Sequence, residues 1–288
     1  MNSKRLFHPR GSLASDPWTL ELDAQEAQWS WASLRILELG EGGTQEFETG
    51  GDELLVLPLS GSCVVRCNGE EMLLTGRAGV FAGPSDFAYL PRGSTARVTS
   101  SVGGRFALPG ARTERALPFR YGPATGVGVE LRGAGSCSRQ VNNFCTPETF
   151  DADRLISCEV LTPGGNWSSY PPHKHDEDGP HECALEEIYY YEVAQGPAGD
   201  GMAYQRVYGT SDRPIDLFAE VRSGDAVIIP HGWHGPSMAV PGYDLYYLNV
   251  MAGARERAWR ICDDPAHAWI RATWTSQEVD QRLPFAKH

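Results

Sequence analysis

Short runs of alternating apolar and polar residues recur along the chain, each cut off within a few positions by Gly, Pro, Asn or Asp. A two-residue period bounded by turn residues is the pattern of half-buried β-strands. It predicts strands over 34–39, 54–59, 63–67, 72–74, 87–90 and 96–99 in the first part of the chain. Cys63, Val65 and Cys67 alternate into Asn68-Gly69, and the apolar pattern resumes at Met72, which predicts a tight hairpin. Further strands are predicted over 139–144, 156–161, 188–193, 203–208, 217–221, 226–229 and 243–251. Helix is expected only near the ends, with 275–282 the best candidate. Many short strands at regular spacing predict an all-β protein of sandwich or small-barrel type.

The stretch GGRFALPGARTERALPFRYGPATG, rich in Gly, Pro and Arg, interrupts this pattern from residue 103 onward and, up to about 135, reads as a connector or an extended linking strand rather than a helix. It sets an expected boundary between domains at 1–125 and 126–288. The two halves also share a faint repeat. Glu53 leads an apolar run to Gly61, and Pro91-Arg-Gly93 follows later; Glu187 leads an aromatic run to Gly196, and Pro230-His-Gly232 follows later. The offsets, 187 − 53 = 134 and 230 − 91 = 139, predict a duplicated β domain with small insertions.

Composition narrows the function. Of 288 residues, 32 are Gly and 20 Pro, which suits strands and turns better than a helical bundle. A net charge of −12 argues against nucleic-acid or anionic-membrane partners, themselves polyanions. The seven cysteines are odd in number and scattered, and the first residues lack an apolar run of signal-peptide length. The expectation is a reduced, cytoplasmic protein without a membrane span. Cys63 and Cys67 have no second pair at zinc-finger spacing.

Five of the eight histidines, at 173, 175, 181, 231 and 234, fall in one part of the second half. On a strand, His173 and His175 point to one face while Lys174 faces away. The same alternation in EEIYYYEV puts Glu187, Tyr189 and Tyr191 on one face and Glu186, Ile188 and Tyr190 on the other. His234, just past the Pro230-x-Gly232 turn, can reach the same point from a neighbouring strand. Three imidazoles and a carboxylate suit one divalent ion, zinc, manganese, iron, cobalt or nickel, with positions left open for substrate. His181 lies in the polar loop between His175 and Glu187 and is expected in solvent. His231 is expected to be structural or to hold a ligand in place.

His173-x-His175, Glu187 and Gly224-x5-Pro230-x-Gly232-x-His234 resemble the two metal-binding motifs of the cupin superfamily, small antiparallel β-barrels. The eleven residues between His175 and Glu187 exceed the usual cupin gap and leave Glu186 as a rival ligand. Glu187 is preferred because it immediately precedes the Ile-Tyr-Tyr-Tyr strand. More narrowly, SSYPPHKHD, LEEIYYYEV, PGYDLYYLNVMAG, DDPAHAWI, LSGSCVV, YLPRGS and GAGSCSRQVNNF resemble the 5-deoxy-glucuronate isomerase family, bicupin enzymes of bacterial inositol breakdown, whose own pattern includes the long gap. The resemblance covers nearly the whole chain. It implies two tandem cupin barrels with metal, zinc or manganese foremost, only in the second; the first has GTQEFETGGDE where paired histidines would stand. It also implies an aldose–ketose isomerisation of a sugar acid to 5-dehydro-2-deoxy-gluconate. Tyr189, on the Glu187 face, is then the first candidate for a hydrogen-bonding or proton-relaying group. Arg139, at the start of the second barrel, is the candidate grip for the substrate carboxylate. A cupin dioxygenase on the same ligands and a non-enzymatic sugar-binding bicupin are the competing readings, and a homodimer is the expected assembly.

Overall fold

A computed structural model describes residues 6–285. Its strands form three sheets. The nine-stranded sheet contains only strands between Trp18 and Gly122, built around the long strand Asp52–Cys67. The other two carry the second half. The seven-stranded sheet runs in the order Phe7–His8, Ala226–Ile229, Glu186–Val193, Leu245–Ala252, Ile156–Thr162, Arg139–Cys145, Gly128–Arg132. The six-stranded sheet holds Asp216–Val221, Ala203–Tyr208, Trp233–Ala239, His173–Lys174 and Cys262–Asp263, with Trp167–Ser168 beside Trp233–Ala239. Because Phe7 pairs with Val227, the chain enters the second half's sheet before crossing over to build the first. This is the all-β, tandem cupin architecture.

The hairpin forms where Asn68-Gly69 predicts it: both residues have positive φ, 51° and 84°, and Cys67 pairs with Glu70. Other elements differ from the sequence reading. Segments 54–59 and 63–67 belong to one sixteen-residue strand, Asp52–Cys67, whose register shifts near Pro58–Ser60 and Gly61–Cys63. The stretch expected to be a connector or a linking strand begins as a full sheet strand, Gly104–Arg112, paired on both sides with Ala32–Leu39 and Asp52–Cys67. Pro109 is accommodated because the ladder with Asp52–Cys67 jumps from Leu54↔Gly110 to Leu57↔Ala107, leaving Pro109 without a partner on that side. Gly110 leaves room there: a Cβ would come within 2.4 Å of the Leu54 side chain and 2.6 Å of the Ser33 hydroxyl, so both would have to shift. The expected helix over 275–282 does not form. Helix near that end is confined to Ile270–Thr273 and a single 3-10 turn, Trp274–Ser276, after which Gln277 is extended. Segment 275–282 lacks an apolar stripe, so it has no buried face to hold a helix.

Two apolar clusters result. Leu54, Val56, Val65, Leu90, Val98 and Phe106 fill the inside of the first barrel. A larger cluster runs from Leu34, Ile36 and Leu57 of the first half to Ile188, Leu248 and Val250 of the second. Polar groups cross this seam in matched pairs. The Arg77 guanidinium is ion-paired with Glu159, their side chains 3% and 1% exposed. Glu53 accepts N–H bonds from Asp153, Arg154 and Leu155 at 2.9, 2.6 and 2.8 Å and the Tyr89 hydroxyl at 2.6 Å. Glu186 does the reverse, accepting from Ser30, Trp31 and Ala32 at 2.8, 2.8 and 3.0 Å. Each half thus lends a glutamate to three consecutive backbone donors of the other.

Candidate metal centre

The strand Glu186–Val193 separates two adjacent glutamates by alternation alone. Glu186 turns to the seam between barrels, whereas Glu187 turns inward with Tyr189 and Tyr191. Across the ladder Glu187 pairs with Met251 and Tyr189 with Asn249. His173 pairs directly with His234 in the opposite sheet, and His175 follows one residue after the short strand His173–Lys174.

Three predicted ligands meet. The donor atoms of His175, Glu187 and His234 lie within 4.8 Å of one another, and all three residues are buried. Glu187 Oε2 sits 3.2 Å from His175 Nε2 and 3.1 Å from His234 Nε2. His173 lies beside this group rather than inside it: its ring centroid is 4.4 Å from that of His234 and 6.4 Å from that of His175. Burial pushes the Glu187 carboxyl up, but His234 and His175, through charge and hydrogen bonding, outweigh it and hold the group at about 2. His173 is driven well below the ordinary histidine range by burial and by the two neighbouring imidazoles, so its ring is neutral, the form that ligates.

These residues fit a metal. Among the described residues, buried His234 Nε2 has no hydrogen-bond partner, although it faces a carboxylate. His173 Nδ1 and His234 Nδ1 each lie 3.3 Å from a backbone carbonyl, of Pro171 and Gly232. A carbonyl only accepts, so Nδ1 carries a proton in both rings, and Nε2 is the nitrogen left to ligate. A buried carboxylate facing imidazole Nε2 atoms is a donor set for a cation, and imidazole with carboxylate suits first-row divalent ions.

Surrounding groups fix the candidate ligands. Asn249 donates to Glu187 Oε1 at 2.7 Å, leaving Oε2 for the imidazoles. Sequence reasoning missed Asn249, since its relation to Glu187 exists only through strand pairing. Lys174, between the two histidines, points away and binds Asp176 and Glu182, both at 2.7 Å. Asp176 also accepts the Gly232 N–H at 2.8 Å, tying the His173–His175 segment to the turn that carries His234. His181 is exposed in the intervening loop. His231 is half-buried, its Nε2 without a hydrogen-bond partner among the described residues.

Tyr189 stacks on Tyr247, centroids 4.8 Å apart at 12°, and stands edge-on to His234 at 6.1 Å. Its hydroxyl is 2.7 Å from Ser169 Oγ. Burial and the Glu187 charge raise its pKa well above the ordinary value, so it keeps its proton and can donate. Arg139 is 4% exposed and lies 5.4 Å over the Trp274 ring. It donates to the carbonyls of Cys137 and Tyr170, at 3.0 and 3.3 Å. Burial, reinforced by Arg132 and Arg271, pulls its pKa down to about 10, still charged at neutral pH. Two other guanidiniums stand nearby. Arg132 is engaged by Glu130 at 2.8 and 2.7 Å, and Arg271 by Asp263. Among the described residues Arg139 has no carboxylate partner. A vestibule of about 360 Å3 exposes Arg132, Arg139, His173, Trp259 and Arg271. It adjoins an inner pocket of about 20 Å3 that reaches Ser169, Tyr189 and Asn249.

The chain is 39% identical over 269 residues to the 5-deoxy-glucuronate isomerase of Geobacillus kaustophilus, covering 92% of this chain and 95% of that one. It is 37% identical over 253 residues to the 5-deoxy-glucuronate isomerase of Bacillus subtilis strain 168, covering 87% and 91%. The crystal structure of an IolB-like protein from Salmonella typhimurium LT2 matches with a TM-score of 0.85 and 32% identity, over 92% of this chain and 98% of that one. Oxalate decarboxylase of Bacillus subtilis shares the fold at a TM-score of 0.59 and 12% identity, over 84% and 74%. Residues 6–270 match the KduI/IolB family, and the chain belongs to it.

Proposed function

We propose that this protein is a metal-dependent 5-deoxy-glucuronate isomerase, converting the aldose acid to 5-dehydro-2-deoxy-gluconate. The observation that carries the reading is the buried convergence of His175, Glu187 and His234, in a chain so similar to named isomerases over most of its length. In this reading His173 completes the ligand set, with zinc or manganese the favoured ion. When bound, a divalent cation supplies Lewis acidity that lowers the energy of negative charge building on the sugar oxygens as the C2 proton leaves.

The chain's own residues do the rest. Arg139 grips the substrate carboxylate, because it is a buried guanidinium whose described partners are only carbonyls. The vestibule walls shield the reacting end from bulk water. Tyr189 holds its proton toward the site and steadies a substrate oxygen, with Ser169 as the next group in line. Residues 1–125 and 126–288 act as two domains, the first as scaffold. The assembly is a homodimer in the cytoplasm, in keeping with seven cysteines that are all free. Among the described residues no helix is long and apolar enough to cross a membrane.

Proton NMR of purified protein with 5-deoxy-glucuronate tests this. The aldehyde and hemiacetal signals should disappear with enzyme and persist after chelation. Turnover undiminished by complete metal removal, or oxygen uptake instead of isomerisation, would contradict it.

A further inference from the structure

Two residues that line the inner pocket each carry a buried polar atom with no hydrogen-bond partner among the described residues: Asn249 Oδ1, an acceptor, and Trp259 Nε1–H, a donor. Neither orientation is arbitrary. Glu187 only accepts, so the Asn249 amide must turn its NH2 toward Glu187 Oε1, which sends Oδ1 the other way. The Trp259 indole lies under the Arg132 guanidinium, 5.5 Å from its centroid, and Arg132 is itself held by Glu130. Asn143 Nδ2 donates to the same Glu130 at 3.3 Å, so a chain of contacts fixes the ring.

An unmade hydrogen bond at a buried atom is costly, and native proteins rarely leave one unless a ligand or water completes it. The pocket of about 20 Å3 has room for one small oxygen group. A hydroxyl is the group that both donates and accepts. It is bordered by Arg139, the guanidinium already assigned to the substrate carboxylate, and by His173.

We propose that Trp259 and Asn249 form a hydroxyl-reading subsite, in which one secondary hydroxyl of the sugar acid accepts from the indole N–H and donates to the Asn249 carbonyl. The subsite makes both residues specificity determinants, and it rests on the reading of this protein as a sugar-acid isomerase. A site built around a hydroxyl rejects an analogue lacking it, because its own buried groups are then stranded. The inorganic part of the site does not enter this selection.

The test uses the metal-loaded full chain and Trp259→Phe, which deletes the N–H and keeps the ring over Arg132. Two quantities are read: KM and kcat for 5-deoxy-glucuronate, and the calorimetric Kd of the alcohol made by reducing its aldehyde, which binds without reacting. Trp259→Phe should raise KM and Kd about 3- to 10-fold. It should leave kcat within about twofold, as expected for a uniform binding contact. Among monodeoxy analogues of the alcohol, one should bind wild type and variant equally. Metal content and melting temperature equal to wild type confirm that the variant is folded. Unchanged Kd, or a uniform loss across every monodeoxy analogue, would overturn the subsite. A wild type that binds the alcohol but does not isomerise the sugar would contradict the functional reading and leave the subsite standing. Failure to bind it would contradict both.

Discussion

The two barrels use the same opening, a glutamate before an apolar strand, in opposite ways. In the first, Glu53 faces the seam, and the next residue, Leu54, points into a solid apolar interior. In the second, Glu186 faces the seam and the next residue, Glu187, points into a polar interior with His175, His234 and Asn249. The structural counterpart of Glu53 is therefore Glu186, at an offset of 186 − 53 = 133, one residue from the register the sequence suggests. The donors are three consecutive residues in both halves, 153, 154 and 155 against 30, 31 and 32, at an offset of 153 − 30 = 123. One face of the repeat is kept for joining the halves. The other is free to become either core or site, and a single inward position, Leu54 or Glu187, marks the choice.

Substitutions at these positions separate the two roles. The largest effect belongs to the inward position. Glu187→Gln, like His175→Ala, removes a proposed ligand, and turnover should fall on the order of 10²–10³-fold or more with loss of bound metal, measured by kinetics and elemental analysis. Next is the seam itself. Glu159→Gln strands the buried Arg77 cation and should cost about 3–5 kcal/mol of stability in denaturant unfolding, with metal still bound by the folded protein. Glu186→Gln weakens a charged acceptor of three N–H groups and should cost about 1.5–3 kcal/mol, again without changing metal content. The smallest effect is expected at Asn249→Ala, which frees Glu187 Oε1 and should lower metal affinity about 10–100-fold in chelator competition.

What the sequence made legible follows from how local each signal is. Alternation and turn residues mark most strands, and the His-x-His, Glu and Pro-x-Gly-x-His spacings mark the candidate ligands, of which His175, Glu187 and His234 converge, because each signal depends on neighbours a few residues away. For Gly104–Arg112 the sequence leaves connector and linking strand open, because Pro109 and Gly110 read as breakers; only the ladder's jump and the crowding by Leu54 and Ser33 explain them. Asn249 and Trp259 escaped for a related reason. Asn249 meets Glu187 through the pairing of two strands distant in sequence, and Trp259 is placed by Arg132 across the barrel mouth. The one-residue slip in the repeat arose because Glu186 and Glu187 are chemically identical, and only the direction of burial tells them apart.

Metal stoichiometry of purified wild type, Glu186→Gln and Glu187→Gln, reconstituted with zinc or manganese and freed of loose ions, tests the central claim most directly. The account predicts one tightly bound ion per chain in wild type and Glu186→Gln, and none in Glu187→Gln. Retention of the ion by Glu187→Gln, or its loss from folded Glu186→Gln, would contradict it.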